Sequence, residues 1–296
     1  MRLEQVISPE IIRYDEPMNL HTTFRIGGPA DILVVPRSIE EVKAAIGWAR
    51  LRNISFFIMG QGSNLLVRDA GIRGLVIKLG ESFRKLGGTH NNLTALAGNT
   101  MSETSREALL RGLTGLEFAE GIPGSVGGAV YMNAGAYGGE ISQVVNRVKV
   151  LDRNGNEEVF NRDQMHWGYR KSIFQSTDYL ILEAEFELYP GDTESIEAAM
   201  KEYSKARSDK QPLEYPSGGS VFRRPEGHFV GPMIEEVGLK GFMVGDAQVS
   251  EKHAGFIINR GHATAEDVLK LIEIVRARIR ERFGVVLELE LLVVGG

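Results

Sequence analysis

Six glycines fall between Gly121 and Gly138, in Gly121-Ile122-Pro123-Gly124-Ser125-Val126-Gly127-Gly128-Ala129 and its continuation Asn133-Ala134-Gly135-Ala136-Tyr137-Gly138. A simple turn needs one or two. Glycine loses more backbone freedom on folding than any other residue, so a run this dense belongs where the backbone must approach something closely. A loop wrapping a flat or phosphorylated cofactor is such a place. The spacing matches neither G-x-G-x-x-G nor a P-loop, and no strand immediately precedes it, which argues against both common nucleotide fingerprints. A shorter loop, Gly60-Gln61-Gly62-Ser63-Asn64-Leu65, follows the apolar run 54–59. Its glycines let consecutive N–H groups turn toward one anion, and Ser63 and Asn64 offer side-chain donors. A plain β-turn has the same composition, so this loop alone does not decide the matter.

Both loops sit in a chain of 296 residues, more than one hydrophobic core comfortably serves, so two or three compact units are expected. The formal net charge of −5, without any Lys/Arg block, gives no electrostatic footprint for nucleic acid. The chain has no cysteine. That excludes disulfides, thiolate metal sites, cysteine nucleophiles and cysteinyl flavin, and it suits a reducing compartment. The first ten residues contain no apolar core of a signal peptide, and no apolar run reaches transmembrane length. A cytoplasmic protein without membrane insertion is expected. No His/Asp/Glu cluster has metal-ligand spacing, so no metal is expected.

Ser38 and Glu41 fit a capping box opening a helix, in which Val42, Ala45, Ile46 and Ala49 fall at i, i+3, i+4 and i+7. Runs 54–59 and 75–79 read as buried strands on either side of the short glycine loop. Residues 94–189 mix a helix near 102–111 with β-rich runs at 144–151 and 179–188. A charged helical stretch at 196–207 leads to Gln211-Pro212-Leu213-Glu214-Tyr215-Pro216-Ser217-Gly218-Gly219, whose punctuation marks a loop or boundary. Thr264 and Asp267 open a last helix with Val268, Leu271, Ile272, Val275 and Ile279 on one face, stopping at Phe283-Gly284. A strand over 285–294 closes the chain. Its alternation places Glu288 and Glu290 on one face and Val285, Leu287, Leu289 and Leu291 on the other.

Together with Thr22-Thr23-Phe24-Arg25-Ile26-Gly27-Gly28, the glycine loops resemble the FAD-binding half of the UDP-N-acetylenolpyruvoylglucosamine reductase (UDP-N-acetylmuramate dehydrogenase) family. The resemblance runs from about residue 19 to the C-terminus, with the motifs in the family's order. It implies an α+β chain of vanillyl-alcohol-oxidase type, with two α/β subdomains holding FAD and a C-terminal α+β substrate-binding domain. The expected divisions are 1–80, joined by the terminal strand 286–296, then 81–207 and 208–285. It also implies that Gly60, Gln61, Gly62, Ser63, Asn64, Leu65, Gly121, Pro123, Gly124, Ser125, Gly128, Gly135, Ala136, Tyr137 and Arg207 surround the flavin. Relatives with covalent flavin commonly carry a histidine in the first loop. Gln61, Ser63 and Asn64 stand there in this chain, so non-covalent FAD is implied, with NADPH as co-substrate. The additional tyrosine-bearing loop of the longer subclass is missing, and the chain is similar to the shorter one.

Three residues match the family's catalytic positions, and each has chemical sense. Arg170, in Gly168-Tyr169-Arg170-Lys171, can hold a carboxylate by two parallel hydrogen bonds, although on sequence alone a surface ion pair is the commoner role. Ser220, in Ser217-Gly218-Gly219-Ser220-Val221-Phe222-Arg223-Arg224, has no basic partner to activate it and would ordinarily be a capping or turn residue; the resemblance makes it a proton donor. Glu290 corresponds to the second glutamate of the family's Leu-Glu-Pro-Glu, with Leu289 where proline is usual. Tyr169, Arg224, Lys240 and His253 match substrate-facing positions, while Lys210 and Gln211 lie beside Arg207 at the domain junction.

The implied activity passes hydride from NADPH through FAD to the enolpyruvyl group of a UDP-sugar, giving UDP-N-acetylmuramate for peptidoglycan, and hence for cell wall, cell shape and division. A flavin oxidase or dehydrogenase of the same fold acting on an alcohol or sugar would also explain the glycine loops. So would a non-catalytic nucleotide-binding module.

Overall fold

The computed structural model describes residues 2–296. Its three larger sheets, among the described residues, follow from the apolar runs of the sequence. One has the strand order Ile12–Pro17, Pro29–Val34, Ile72–Lys78, Phe56–Met59, the last pair running parallel from Phe56↔Leu75 to Met59↔Lys78. The second is antiparallel, in the order Glu157–Asn161, Val145–Leu151, Leu180–Glu187, Asn92–Leu96, Leu86–Gly87. The third, also antiparallel, runs Ser217–Ser220, Phe256–Asn259, Ala247–Val249, Met243–Val244.

Contacts divide the chain into two compact units where the sequence suggests three in succession. The first takes the residues up to Arg13, then Leu33–Gln61 and Leu75–Arg207; the second takes Tyr14–Ile32, Gly62–Gly74 and Ser208–Gly296. In the first unit, Ser38 caps the helix Ile39–Leu51 by accepting the Glu41 N–H at 3.2 Å, and Val42, Ala45, Ile46, Trp48 and Ala49 are buried beneath it. The five-stranded sheet buries Val148, Val150, Ala184, Phe186, Leu93 and Ala95 along alternating positions.

The second unit is centred on the helix Ala265–Phe283, whose five apolar positions Val268, Leu271, Ile272, Val275 and Ile279 are all buried. Thr264 and Asp267 form its capping box, and Gly284 ends it at φ +69°. Asp69 adds a second cap, its two carboxylate oxygens accepting the N–H groups of Ala265 and Glu266 at 2.8 and 3.0 Å. Gly28 packs its backbone against Asp69, where a Cβ would lie 2.0 Å from the carbonyl oxygen. Leu65–Val67 pairs in parallel with Leu292–Val294. These contacts tie 14–32 and 62–74 to the C-terminal stretch, for which no local sequence signal exists.

The terminal strand is shorter than the expected 285–294. Regular pairing is confined to Leu292–Val294. Before it, the chain borrows a different partner: the Arg223 N–H donates to the Glu288 carbonyl and the Glu290 N–H to the Val221 carbonyl, both at 2.9 Å. Leu292 then donates to the Asn64 carbonyl at 3.0 Å. A change of partner between 290 and 292 interrupts the ladder. The alternation survives, with Leu287 and Leu291 buried, Glu288 exposed and Glu290 half-buried. Among the described residues no helix is long and apolar enough to cross a membrane, and no group of three His, Cys, Asp or Glu could hold a metal ion.

Candidate active site

In the first unit the two glycine runs meet. Gly60 follows the strand Phe56–Met59, and a Cβ there would lie 2.1 Å from Ser125 Oγ. Ser125 caps the short helix Val126–Met132, its Oγ accepting the Gly128 N–H. The loop lies along 97–101 through Met101 N–H to Gly124 O at 3.2 Å, Val126 N–H to Asn99 O at 2.8 Å and Gly127 N–H to Ala97 O at 3.0 Å. Gly121 and Gly124 adopt φ +73° and +132°, conformations that L side chains rarely take.

Arg207 closes this cradle. Its Cδ and Nε lie 3.2 Å from where a Gly121 Cβ would stand, and its guanidinium carbon is 5.7 Å from the Tyr137 ring centroid. Tyr137 in turn stacks flat on Tyr203 at 4.6 Å. Burial lowers the Arg207 pKa from its ordinary value, opposed by Tyr137 and Glu120; arginine stays charged regardless. Glu120 is buried, with Oε1 accepting from Arg106 at 3.0 Å and Oε2 lacking any hydrogen-bond partner. Gly135 and Ala136 pair with Glu140 and Gly139 in a two-residue ladder.

Arg170 sits in the same unit at the tip of a tight turn. Gly168 and Lys171 exchange two backbone hydrogen bonds of 3.0 Å, leaving Tyr169 and Arg170 between them. Arg170 takes φ +53°, its Nη2 donates to the Gly135 carbonyl at 2.9 Å, and its guanidinium lies 5.2 Å from the exposed Tyr169 ring. Sequence reasoning overlooked the residues that hold this turn. Asn133, fully buried, donates to the Gly168 carbonyl at 2.9 Å and accepts the Ser142 N–H at 2.9 Å. Gln175 donates to the Arg170 carbonyl at 3.0 Å. The only available signal was that Asn133 stands inside the glycine motif.

In the second unit Ser220 ends the strand Ser217–Ser220, opposite Phe256. Gly219, at φ +79°, accompanies a shift of register between Ser217 and Ser220 that re-aims the strand's end. Val221, the next residue, accepts the Glu290 N–H, so Ser220 and Glu290 lie on adjoining backbones. Glu288 is exposed and its Oε2 stands 3.8 Å from Arg223 Nη1. The rest of the first loop belongs here. Gly62 accepts the Thr23 N–H at 3.3 Å, Leu65 opens a strand, and Asn64 Nδ2 donates to the Glu290 carbonyl at 3.1 Å. The Asn64 amide, offered by the sequence as a donor to an anion, thus steadies the Glu290 backbone, while Ser63 lies between them in the loop.

Of the expected substrate contacts, Arg224 is exposed, donates through Nε to the His228 carbonyl at 3.2 Å and lies 3.9 Å above the Phe229 ring. Lys240 pairs with Glu235 at 3.0 Å. His253 Nδ1 accepts the Gly255 N–H at 3.1 Å, which places the neutral ring's proton on Nε2. Burial pushes the His253 pKa below its ordinary value, its own backbone and Glu235 opposing and Lys240 acting with burial.

The glycine edges, which any Cβ would fill, and the buried Arg207 guanidinium suit a flat, phosphorylated group, and FAD fits them. Fold and cradle together define a flavin-binding protein of the vanillyl-alcohol-oxidase class. Residues 30–161 match the family model "FAD binding domain". A grass pollen allergen with glucose dehydrogenase activity shares the fold alone, at TM-score 0.51 and 14% identity over 64% of this chain and 44% of its own. Residues 211–294 match the model of the UDP-N-acetylenolpyruvoylglucosamine reductase C-terminal domain. The reductase of Syntrophomonas wolfei is 51% identical, covering 98% of this chain and 97% of its own length, and that of Clostridium botulinum 49%, covering 100% and 96%. The crystal structure of the Thermus caldophilus reductase superposes at TM-score 0.81, with 36% identity over 94% of this chain and 97% of its own. The chain belongs to the UDP-N-acetylenolpyruvoylglucosamine reductase family.

Proposed function

We propose that this chain is an NADPH-dependent flavoenzyme that reduces the enolpyruvyl group of UDP-N-acetylglucosamine enolpyruvate to UDP-N-acetylmuramate, for peptidoglycan precursor synthesis in the cytoplasm. One observation carries the assignment of chemistry: the Glu290 N–H donates to the Val221 carbonyl, which brings the backbones that carry Ser220 and Glu290 side by side. When bound, FAD would supply the hydride chemistry that links NADPH to the vinyl carbon. The protein must then manage the negative charge left on C2 and the carboxylate. Arg170 offers the fork of donors that suits a carboxylate. Ser220 delivers the proton to C2, and a weak acid can do so only when held against that carbon. Glu290 assists Arg170 in stabilising that charge.

Gly60, Ser125, Gly121, Gly124, Gly128, Tyr137 and Arg207 hold the flavin, and Tyr169, Arg224, Lys240 and His253 take the rest of the substrate. Attachment is non-covalent, since the chain has no cysteine and Gln61, Ser63 and Asn64 stand where a histidine would be needed. Denaturation should therefore release all the flavin, and colour retained by the precipitated protein would refute this. The decisive experiment reduces the holoenzyme with NADPH without oxygen and then offers either the enolpyruvyl sugar or air. Faster reoxidation by the sugar is expected. Reoxidation by air alone would indicate an oxidase of the same fold.

A further inference from the structure

Arg170 is held in a conformation that its own chemistry does not favour. A non-glycine residue in the left-handed region is strained, and it persists where surroundings over-determine it. What surrounds it is unusually specific. The two carbonyls of the 168–171 turn that face inward are both captured by side-chain amides, Gly168 O by Asn133 Nδ2 at 2.9 Å and Arg170 O by Gln175 Nε2 at 3.0 Å. Gln175 Nε2 also donates to the Tyr131 carbonyl at 3.0 Å, which receives the buried Ser172 hydroxyl at 2.7 Å. Asn133 is itself left-handed, at φ +43°, and its other amide atom is used by Ser142. These anchors for the turn come from 131–142 or from the residues just after it. The guanidinium makes the same connection, donating to Gly135 O.

We propose that Asn133 and Gln175 are positioning residues for Arg170: they clip its strained turn to the segment that continues the second glycine run, and so fix where the guanidinium meets the substrate carboxylate. The inference rests on the reading of Arg170 as the carboxylate-holding group. Neither amide touches the reacting atoms. Both act through backbone carbonyls, to which a purely hydrophobic side chain of equal length donates nothing. Losing one clip lets the turn relax, and a displacement of about 1 Å at a catalytic group costs up to roughly 10²-fold in rate.

The test is a double-mutant cycle on the FAD-loaded enzyme, read in its two half-reactions by rapid mixing. Gln175→Met keeps length and removes the donors. It should slow reoxidation by the enolpyruvyl sugar roughly 10- to 100-fold, with flavin reduction by NADPH, FAD affinity and melting temperature close to parental. In an Arg170→Ala background the same substitution should add less than about twofold, because its effect passes through the lost guanidinium. Full additivity overturns the proposal and leaves Gln175 a structural residue. A parental rate in Gln175→Met overturns it also. If Arg170→Ala itself reoxidises normally, the reading of Arg170 fails first and the proposal falls with it. Gln175→Glu supplies an independent readout: the ionised carboxylate repels both carbonyls, whereas the protonated one donates to either. Its reoxidation rate relative to parental should rise as pH falls, and a flat ratio would count against the clip.

Discussion

The two units build their parts of the chemistry from different material. The first uses backbone: Gly60 against Ser125, left-handed or glycine-only dihedrals at Gly121 and Gly124, and a turn at Arg170 held through its carbonyls. The second uses side chains on short irregular pairings, with Ser220 at a strand's end and Glu290 just outside one. Binding a large flat cofactor rewards close approach over a wide area, which only missing side chains allow. Moving one proton rewards a single group at one point. Substitutions at the glycine edges of the first unit should therefore damage cofactor binding, and those at Ser220 and Glu290 of the second should damage chemistry.

The largest expected effect is in the second unit. Ser220→Ala should slow flavin reoxidation by the enolpyruvyl sugar by roughly 10²- to 10⁴-fold, the usual worth of a positioned acid, and leave reduction by NADPH near parental. Rapid mixing of each half-reaction separates the two, and parental reoxidation would remove Ser220 from the mechanism. Next comes the glutamate pair. Glu290→Gln should cost roughly 10²-fold in turnover, whereas Glu288, exposed and 3.8 Å from Arg223, should change it less than about twofold as Glu288→Gln. Equal losses would mean that Glu288 acts as well or that the catalytic position is misplaced along the strand.

The converse test lies in the first unit. At Gly135 a Cβ would stand 2.6 Å from the Gly139 carbonyl oxygen and 2.8 Å from Glu140 Cβ. Gly135→Ala should weaken FAD binding by roughly 5- to 100-fold, equivalent to about 1–3 kcal/mol, because the added methyl forces the 139–140 segment away. Equilibrium titration of the apoprotein with FAD checks this, and an unchanged Kd would show that the segment yields.

The smallest effect concerns titration, which the side-chain-built unit should show. Because burial holds the folded His253 pKa below about 6.5, the unfolded chain takes up a proton first as pH falls. His253 therefore destabilises the fold progressively as pH drops from the unfolded value toward the folded one, and contributes no such loss above it. Melting temperatures of the parent and His253→Gln should diverge across that window, the parent falling more steeply. Parallel curves would place the imidazole in water.

Much of this is legible in the sequence. Capped amphipathic helices announced themselves because their signals are local: Ser38 with Glu41, and Thr264 with Asp267. The glycine runs also declared themselves, since their entropic cost has no other use. Glu290 and Ser220 were legible only through family resemblance, as a lone serine and an alternating glutamate are ordinary in any sequence. Asn133 and Gln175 escaped notice for the same reason: amides have no spacing rule, and their partners stand 35 and 5 residues away.

By itself, then, the sequence determined the elements with local codes and the family, and it set the dense glycine run apart. Tertiary structure alone decided that 14–32 and 62–74 pack with the C-terminal unit, that the last strand breaks between Glu290 and Leu292, and that Arg170 is held left-handed. Each of these depends on a hydrogen-bond partner distant in the chain, such as Asn64 for Leu292 or Asp69 for Ala265. Such pairings are selected by the energy of satisfying buried polar groups, which no local window of sequence contains.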